Sequence, residues 1–207
     1  MMRALLLKDL LSLKNQGKFY LIFVVGYGLI SHKLDSLNLP IAMMIMMGGM
    51  LLATVMTWEE RSNWERFALT MPVDRRTMVA EKYLFGILAI FTGGLLAVLM
   101  VAVIGELSQE LALSIVMLLG LGLVYVAVIL PVFFKLGVEK ARWVNFAVLF
   151  MPVFALTAFL DKVPAGSLER AAAFLQKYGA LLGLGIVIAV MGFSYWLSCR
   201  IYAAKEF

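Results

Sequence analysis

Residues 57–83 read TWEERSNWERFALTMPVDRRTMVAEKY. The stretch carries five acids (Glu59, Glu60, Glu65, Asp74, Glu81) and five bases (Arg61, Arg66, Arg75, Arg76, Lys82), with Trp58, Trp64 and Pro72 among them. Two chemistries are open to such a set. Adjacent glutamates can act as a general acid–base pair, or activate a metal-bound water when histidines stand close by. Aromatic and arginine side chains on a charged rim can instead anchor a protein partner.

The rest of the chain limits the first option. It has 207 residues, one histidine (His32) and one cysteine (Cys199). No intrachain disulfide can form, and Cys–His zinc patterns and an H-E-x-x-H site are excluded. No G-x-x-x-x-G-K-[ST] occurs, so the chain has no P-loop, and no G-x-G-x-x-G follows a strand. His32 falls at the far end of the first apolar run, on the opposite side from Glu59 and Glu60, where it reads as an ordinary interfacial residue or as a pH-sensitive contact.

Composition supplies the setting. Apolar residues make up 63% of the chain and charged residues 15%, with a mean hydropathy of +0.96. Soluble proteins carry roughly 25% charged residues. Six apolar runs, at about 19–31, 37–57, 83–105, 111–134, 143–160 and 179–199, approach the ~20 residues that cross a bilayer as a helix. The first is short, and Lys18 and Lys33 can snorkel at its ends. It lacks a small-x-small cleavage site and so is expected to stay in the membrane rather than be removed as a signal. Pro131 and Pro152 fall inside spans four and five and are expected to kink them. The predicted fold is all-α: one polytopic membrane domain over 1–207 with six transmembrane helices.

Six spans put both termini on one side. Of the 18 Lys and Arg residues, 14 lie in the N-terminal segment, the 58–82 loop, the 135–142 loop and the tail. The bias places both termini and the charged loop in the cytoplasm. The net charge of +5 is mostly this orientation signal, and no nucleic-acid partner is expected.

The N-terminal segment, residues 1–17, sets Leu6, Leu7, Leu10, Leu11 and Leu13 on one arc and Lys8, Asp9, Ser12, Asn15 and Gln16 on the other. This is an amphipathic helix too charged to span, expected to lie on membrane lipid before span one. On the outside, the loop 161–178 patterns as a short amphipathic helix (Ser167, Leu168, Ala171, Ala172, Phe174, Leu175). Small-residue spacings (Gly49/Ala53, Gly93/Ala97, Gly179/Gly183, Gly185/Ala189) permit close helix contact, within one subunit or between two. The methionine run at 43–50 reads as packing or lipid-facing material, or as a soft lining for a greasy substrate.

Within the charged loop, residues 59–69 are good helix formers, with Trp64, Phe67, Ala68 and Met71 at helical spacing. Pro72 stops that helix, and Asp74 is placed to cap a second one leading into span three. A loop that only joins two spans needs few residues. On pattern alone, an interfacial helix that positions two spans and a rigid knob for a cytoplasmic partner both fit.

The chain resembles the membrane subunits of type-2 ABC exporters. More narrowly it is similar to small bacterial ABC-2 permeases that include the phenol-soluble-modulin exporter subunits. The likeness covers the architecture of the whole chain. Its sequence elements are Glu59-Glu60, Trp64, Pro72-Val73-Asp74-Arg75-Arg76 and Lys82-Tyr83. The resemblance implies that the loop is a coupling helix, with Glu59, Glu60, Trp64, Glu65, Arg66 and Phe67 gripping a separate ABC ATP-binding subunit, and Pro72, Arg75 and Arg76 shaping the turn. The N-terminal helix would be a second contact. ATP and Mg would be bound by that partner, with no cofactor, metal or catalytic residue in this chain. A second permease subunit, identical or related, would complete the path in a bacterial cell membrane.

Two other readings stand beside it. A membrane scaffold would use the loop to bind a partner that is not an ATPase. Intramembrane CAAX-type proteases carry E-E-x-x-x-R, but the sixth position here is Trp64. The runs at 83–105, 111–134 and 179–199 contain no Asp, Glu, Lys or Arg. A proton-driven path therefore lacks its usual carriers, and an apolar or amphipathic cargo such as a peptide or lipid-like antibiotic fits best.

Overall fold

A computed structural model describes residues 2–13, 22, 25–26, 37–68, 70, 74–104, 108–141, 143–148 and 165–205. These form α1 (Met2–Ser12), α2 (Asn38–Arg61), α3 (Trp64–Ala68), α4 (Arg75–Ile104), α5 (Gln109–Leu136) and α6 (Ala165–Ala203), with residues 138–141 and 143–148 also helical. The described residues contain no strand, as the all-α expectation requires. Four helices are long and apolar enough to cross a membrane: α2, α4, α5 and the Leu182–Ala203 part of α6. Most of the expected spans at 19–31 and 143–160 lies outside the described residues.

Glycine sets the spacing of the first pair. A Cβ on Gly48 would stand 2.5 Å from the Ala89 carbonyl oxygen, and one on Gly93 the same distance from that of Met44. The two contacts are reciprocal, so α2 and α4 run antiparallel with their backbones touching. Helix α5 then lies antiparallel to α4, because Gly86 meets Val126 and Gly94 meets Leu119. Ile41, Met44, Ile45, Ile90, Ile129 and Leu130 fill the space between the helices and are almost fully buried. The small residues of α2 and α4 thus serve packing within the chain. Gly183 and Gly185 of α6 meet nothing within 4 Å among the described residues.

Helix α6 runs parallel to α5 and is held by hydrogen bonds. The Tyr83 hydroxyl lies 2.6 Å from Ser194 Oγ and 2.8 Å from Ser198 Oγ, all three buried. Ser194 Oγ also donates to the Ala127 carbonyl. That carbonyl is four residues before Pro131, which has no N–H to give it. The proline stays inside a continuous helix because a neighbouring hydroxyl supplies the missing donor, as a bilayer demands.

Three boundaries differ from the sequence reading. Helix α2 runs on through Trp58, Glu59 and Glu60 to Arg61, since nothing there breaks a helix. The break comes at Asn63, whose φ of 51° lies in the left-handed region that asparagine tolerates. The separate loop helix is therefore only Trp64–Ala68, not 59–69. Residues 165–178 are helical as expected but continuous with the last span in one 39-residue helix, with no proline or glycine pair after Gly166 to stop it. By contrast, α4 begins at Arg75 directly after Asp74, where the cap was expected.

Two outcomes check this packing. Gly93→Ala should cost about 1–3 kcal/mol in thermal unfolding of the purified protein, since the clash is with backbone, whereas Gly183→Ala should stay within about 0.5 kcal/mol. Ser194→Ala should cost about 1 kcal/mol, and most of that loss should vanish in a Pro131→Ala background, where Ala127 regains its helical donor.

Candidate functional site

The charged end of the bundle is where α2 closes, α4 opens, and α5 and α6 end. The break at Ser62-Asn63 hangs α3 there. Ser62 and Asn63 donate their N–H to the Trp58 and Glu60 carbonyls, and the Asn63 carbonyl accepts from Arg66 and Phe67. Bonds to both sides fix α3 against the tip of α2.

Beneath it lies a buried ion cluster. Lys82 Nζ is 2.6 Å from Asp9 Oδ2, 2.7 Å from Glu59 Oε1 and 3.1 Å from Glu81 Oε2. The side chains of Asp9, Glu81 and Lys82 are 0%, 2% and 7% exposed. Lys8 Nζ bonds Glu59 and stands 4.3 Å over the Trp64 ring. Thus α1, α2, α3 and α4 all contribute. Burial alone would raise the Asp9 carboxyl; the neighbouring Glu81 carboxyl acting as a donor, with the Lys82 and Lys8 ammonium groups, outweighs that and holds it below its usual 3.8. Helix α1 does not divide into the expected apolar and polar arcs: Leu6 and Leu13 pack against the bundle on the same side as Asp9, and Ser12 is exposed. Leu5 and Asp9 are buried, while Leu7, Leu10 and Leu11 are about 60% exposed.

Two further ties surround the cluster. Glu60 Oε2 accepts the backbone N–H of Val138 at 2.7 Å, capping the helical turn after α5. This needs Gly137, which has φ of 76° and whose Cβ would stand 2.5 Å from Glu60 Oε1. On the other side, Arg75 donates to the Ala203 carbonyl at 2.8 Å and to those of Tyr202 and Lys205 at 3.3 Å. Lys205 Nζ in turn reaches Glu65 Oε2 at 2.7 Å. The C-terminal tail is thereby bound to α3 and to the start of α4.

The cavities here are small. The one lined by Glu59, Trp64, Glu81, Lys82 and Tyr202 has a volume of about 20 Å³, room for a single water. Another, lined by Thr57, Phe133, Glu139 and Asn145, holds about 160 Å³, below the ~300 Å³ of ordinary ligand pockets. No group of three or more His, Cys, Asp or Glu side chains suited to a metal occurs among the described residues. Among the described residues, neither of these cavities has the size of a small-molecule reaction site.

Residues 4–203 match a family model described as ABC-2 family transporter protein. The chain belongs to that family. No curated protein and no solved structure matches it. As an ABC-2 permease it is a component of membrane transport and not itself a catalyst.

The permease uses its nine sequence-selected residues unequally. Glu59 is drawn inward to Lys8 and Lys82, Glu60 is spent on the Val138 amide, Glu65 on Lys205 and Arg75 on the α6 carbonyls. Glu59 and Glu60 turn to different partners and form no paired acid–base site. Trp64 is half-buried under Lys8, with its ring 5.5 Å from that of Phe67. Arg66, Phe67 and Arg76 are exposed. Pro72 lies outside the described residues. Sequence reasoning placed Lys82 and both termini at this end but gave Asp9, Tyr202 and Lys205 no role in it, and Lys82 no place in a buried cluster. The available signal was Lys82 itself, a cation placed against the start of a long apolar run, and Asp9, the sole acid in a leucine-rich helix.

The cluster gives two expected outcomes. Lys82→Met leaves buried carboxylates without their main cation and should cost about 3–5 kcal/mol in thermal unfolding. Arg61→Met breaks only the exposed 3.8 Å pair with Glu139 and should stay within about 0.5 kcal/mol. The low Asp9 value means its ion pair stabilises the fold above about pH 4 and is lost as pH falls through that folded-state value. Asp9→Asn should therefore flatten the acid limb of the stability profile.

Proposed function

We propose that this chain is the membrane-spanning subunit of an ABC-2 exporter, driven by a separate ATP-binding subunit that docks on α3 and its surroundings. The observation that carries the reading is the outward tip of α3. Most polar side chains around it are tied within the chain, and Arg66 and Phe67 are left facing out, with Phe67 54% exposed. An arginine and an aromatic on a rigid mount are the usual anchors of an interface. The coupling role thus falls on Arg66, Phe67 and Arg76, while Glu59, Glu60, Trp64, Glu65 and Arg75 build the mount and Pro72 the turn beside it.

In this reading the charged end is cytoplasmic, in keeping with the Lys and Arg bias. Six spans fit the described ends. Helix α1 sits at the charged end and α2 starts at the far one, so the chain changes ends between residues 13 and 37. The same holds between residues 141 and 165, because α5 and α6 both finish at the charged end. The ATP-binding subunit would hold the nucleotide and Mg. A second permease, identical or related, would complete the path, with lipid around both. The charge-free interiors of α4, α5 and the later part of α6 favour an apolar or amphipathic cargo moved outward.

The test is affinity purification of the tagged full chain from native membranes, with partners identified by mass spectrometry. A stoichiometric P-loop ATPase should co-purify and be lost with Arg66→Glu/Phe67→Ala, while the variant protein remains folded in the membrane. Recovery of the chain alone, or with a partner lacking a nucleotide site, would refute the motor-docking reading in favour of a scaffold.

A further inference from the structure

Three carboxyls and two ammonium groups meet in the buried cluster: Asp9, Glu59 and Glu81 against Lys8 and Lys82. Counted as ions, they leave one negative charge in excess where water is nearly excluded. An uncompensated buried charge is among the most costly features a fold can carry.

The hydrogen bonds locate the excess. Asp9 Oδ1 and Glu81 Oε1 are both buried and both lack a hydrogen-bond donor. Lys8 Nζ is 2.9 Å from Asp9 Oδ1, but the direction of approach is wrong for a hydrogen bond. The carboxylate contacts of Lys82 go to other oxygens, Asp9 Oδ2, Glu59 Oε1 and Glu81 Oε2. Both carboxyls are held by the one Lys82 ammonium, at 2.6 and 3.1 Å, and two carboxylates brought together on one cation repel. One proton between them converts that repulsion into an O–H···O⁻ hydrogen bond, one of the stronger kinds.

We propose that Asp9 and Glu81 form a proton-binding site in which one shared proton neutralises the cluster and locks α1 onto α4. Glu81 carries the proton and donates to Asp9, which remains the carboxylate. The two side chains come from segments 72 residues apart, so the proton is part of the tertiary contact. When it leaves to solvent, three carboxylates face two ammonium groups, and α1 loses its hold. Around the pair stand Lys8 from α1, Glu59 from α2 and Lys82 from α4, with Glu65 of α3 and Tyr202 of α6 lining the adjoining cavity. Glu65 is already paired with Lys205, so it takes no share of the excess charge. The site stands whether or not a motor subunit docks below it.

Infrared spectroscopy of the full chain in lipid nanodiscs reads the proton directly, because a carboxylic acid has a C=O stretch distinct from that of a carboxylate or an amide. At neutral pH the wild type should show a buried carboxylic-acid band that disappears only at alkaline pH, above the usual range for glutamate. Glu81→Gln should abolish the band, since the amide supplies the donor without a proton to lose. Asp9→Asn should abolish it too, since the remaining two carboxylates balance the two lysines. Amide exchange in residues 2–12, corrected for intrinsic rates, should become faster as the wild-type band is lost and stay constant in Glu81→Gln. A wild type without the band, or a band that survives either substitution, would overturn the shared proton. Exchange in α1 that ignores loss of the band would overturn the lock.

Discussion

Burial of the Lys82 ammonium is the constraint on which the charged end of this permease depends. A lysine placed one residue before an apolar run must either reach water or be met by anions. Here it is met by Asp9, Glu59 and Glu81, drawn from three helices. Satisfying one cation therefore brings α1 under the bundle, draws the tip of α2 inward and fixes the start of α4. With the tip of α2 fixed, α3 can only hang where Asn63 turns it. The positions of Arg66 and Phe67 follow from that.

The apolar part of the molecule works by different rules. Lipid gives little hydrophobic reason for helices to meet, so close packing and hydrogen bonds must supply it. Glycine lets α2 and α4 touch through Gly48 and Gly93. Tyr83, Ser194 and Ser198 tie α4 to α6, and Ser194 serves the carbonyl that Pro131 leaves open. The ionic end and the apolar body share α4, whose first turns hold Glu81 and Lys82 and whose next residue is Tyr83. A change in the cluster is thus one residue away from the hydroxyl network.

The sequence makes part of this legible and hides the rest for physical reasons. The long apolar runs are visible in composition, as is the helix start after Asp74. The end of α2 was misplaced because Glu59 and Glu60 read as solvent-facing loop residues. Charge says that a group needs water or a counter-ion, and single-chain periodicity does not say which. Glu59 found lysines 51 and 23 residues away, and Glu60 found a backbone amide 78 residues on. The expected leucine arc of α1 is split between bundle and surface, and Asp9 is buried, because the ions it meets come from distant sequence. The role of Gly137 depends on a backbone angle and a neighbour that no local pattern encodes.

That glycine ties two positions into one unit of inheritance. Any side chain at 137 would occupy the space of the Glu60 carboxylate and would strain a left-handed backbone besides. A residue without an acceptor at 60 would in turn leave the Val138 amide to find another partner. Glycine at 137 and an acid at 60 should therefore appear and disappear together among related permeases. A lineage that has lost one without the other will have rebuilt the turn after α5.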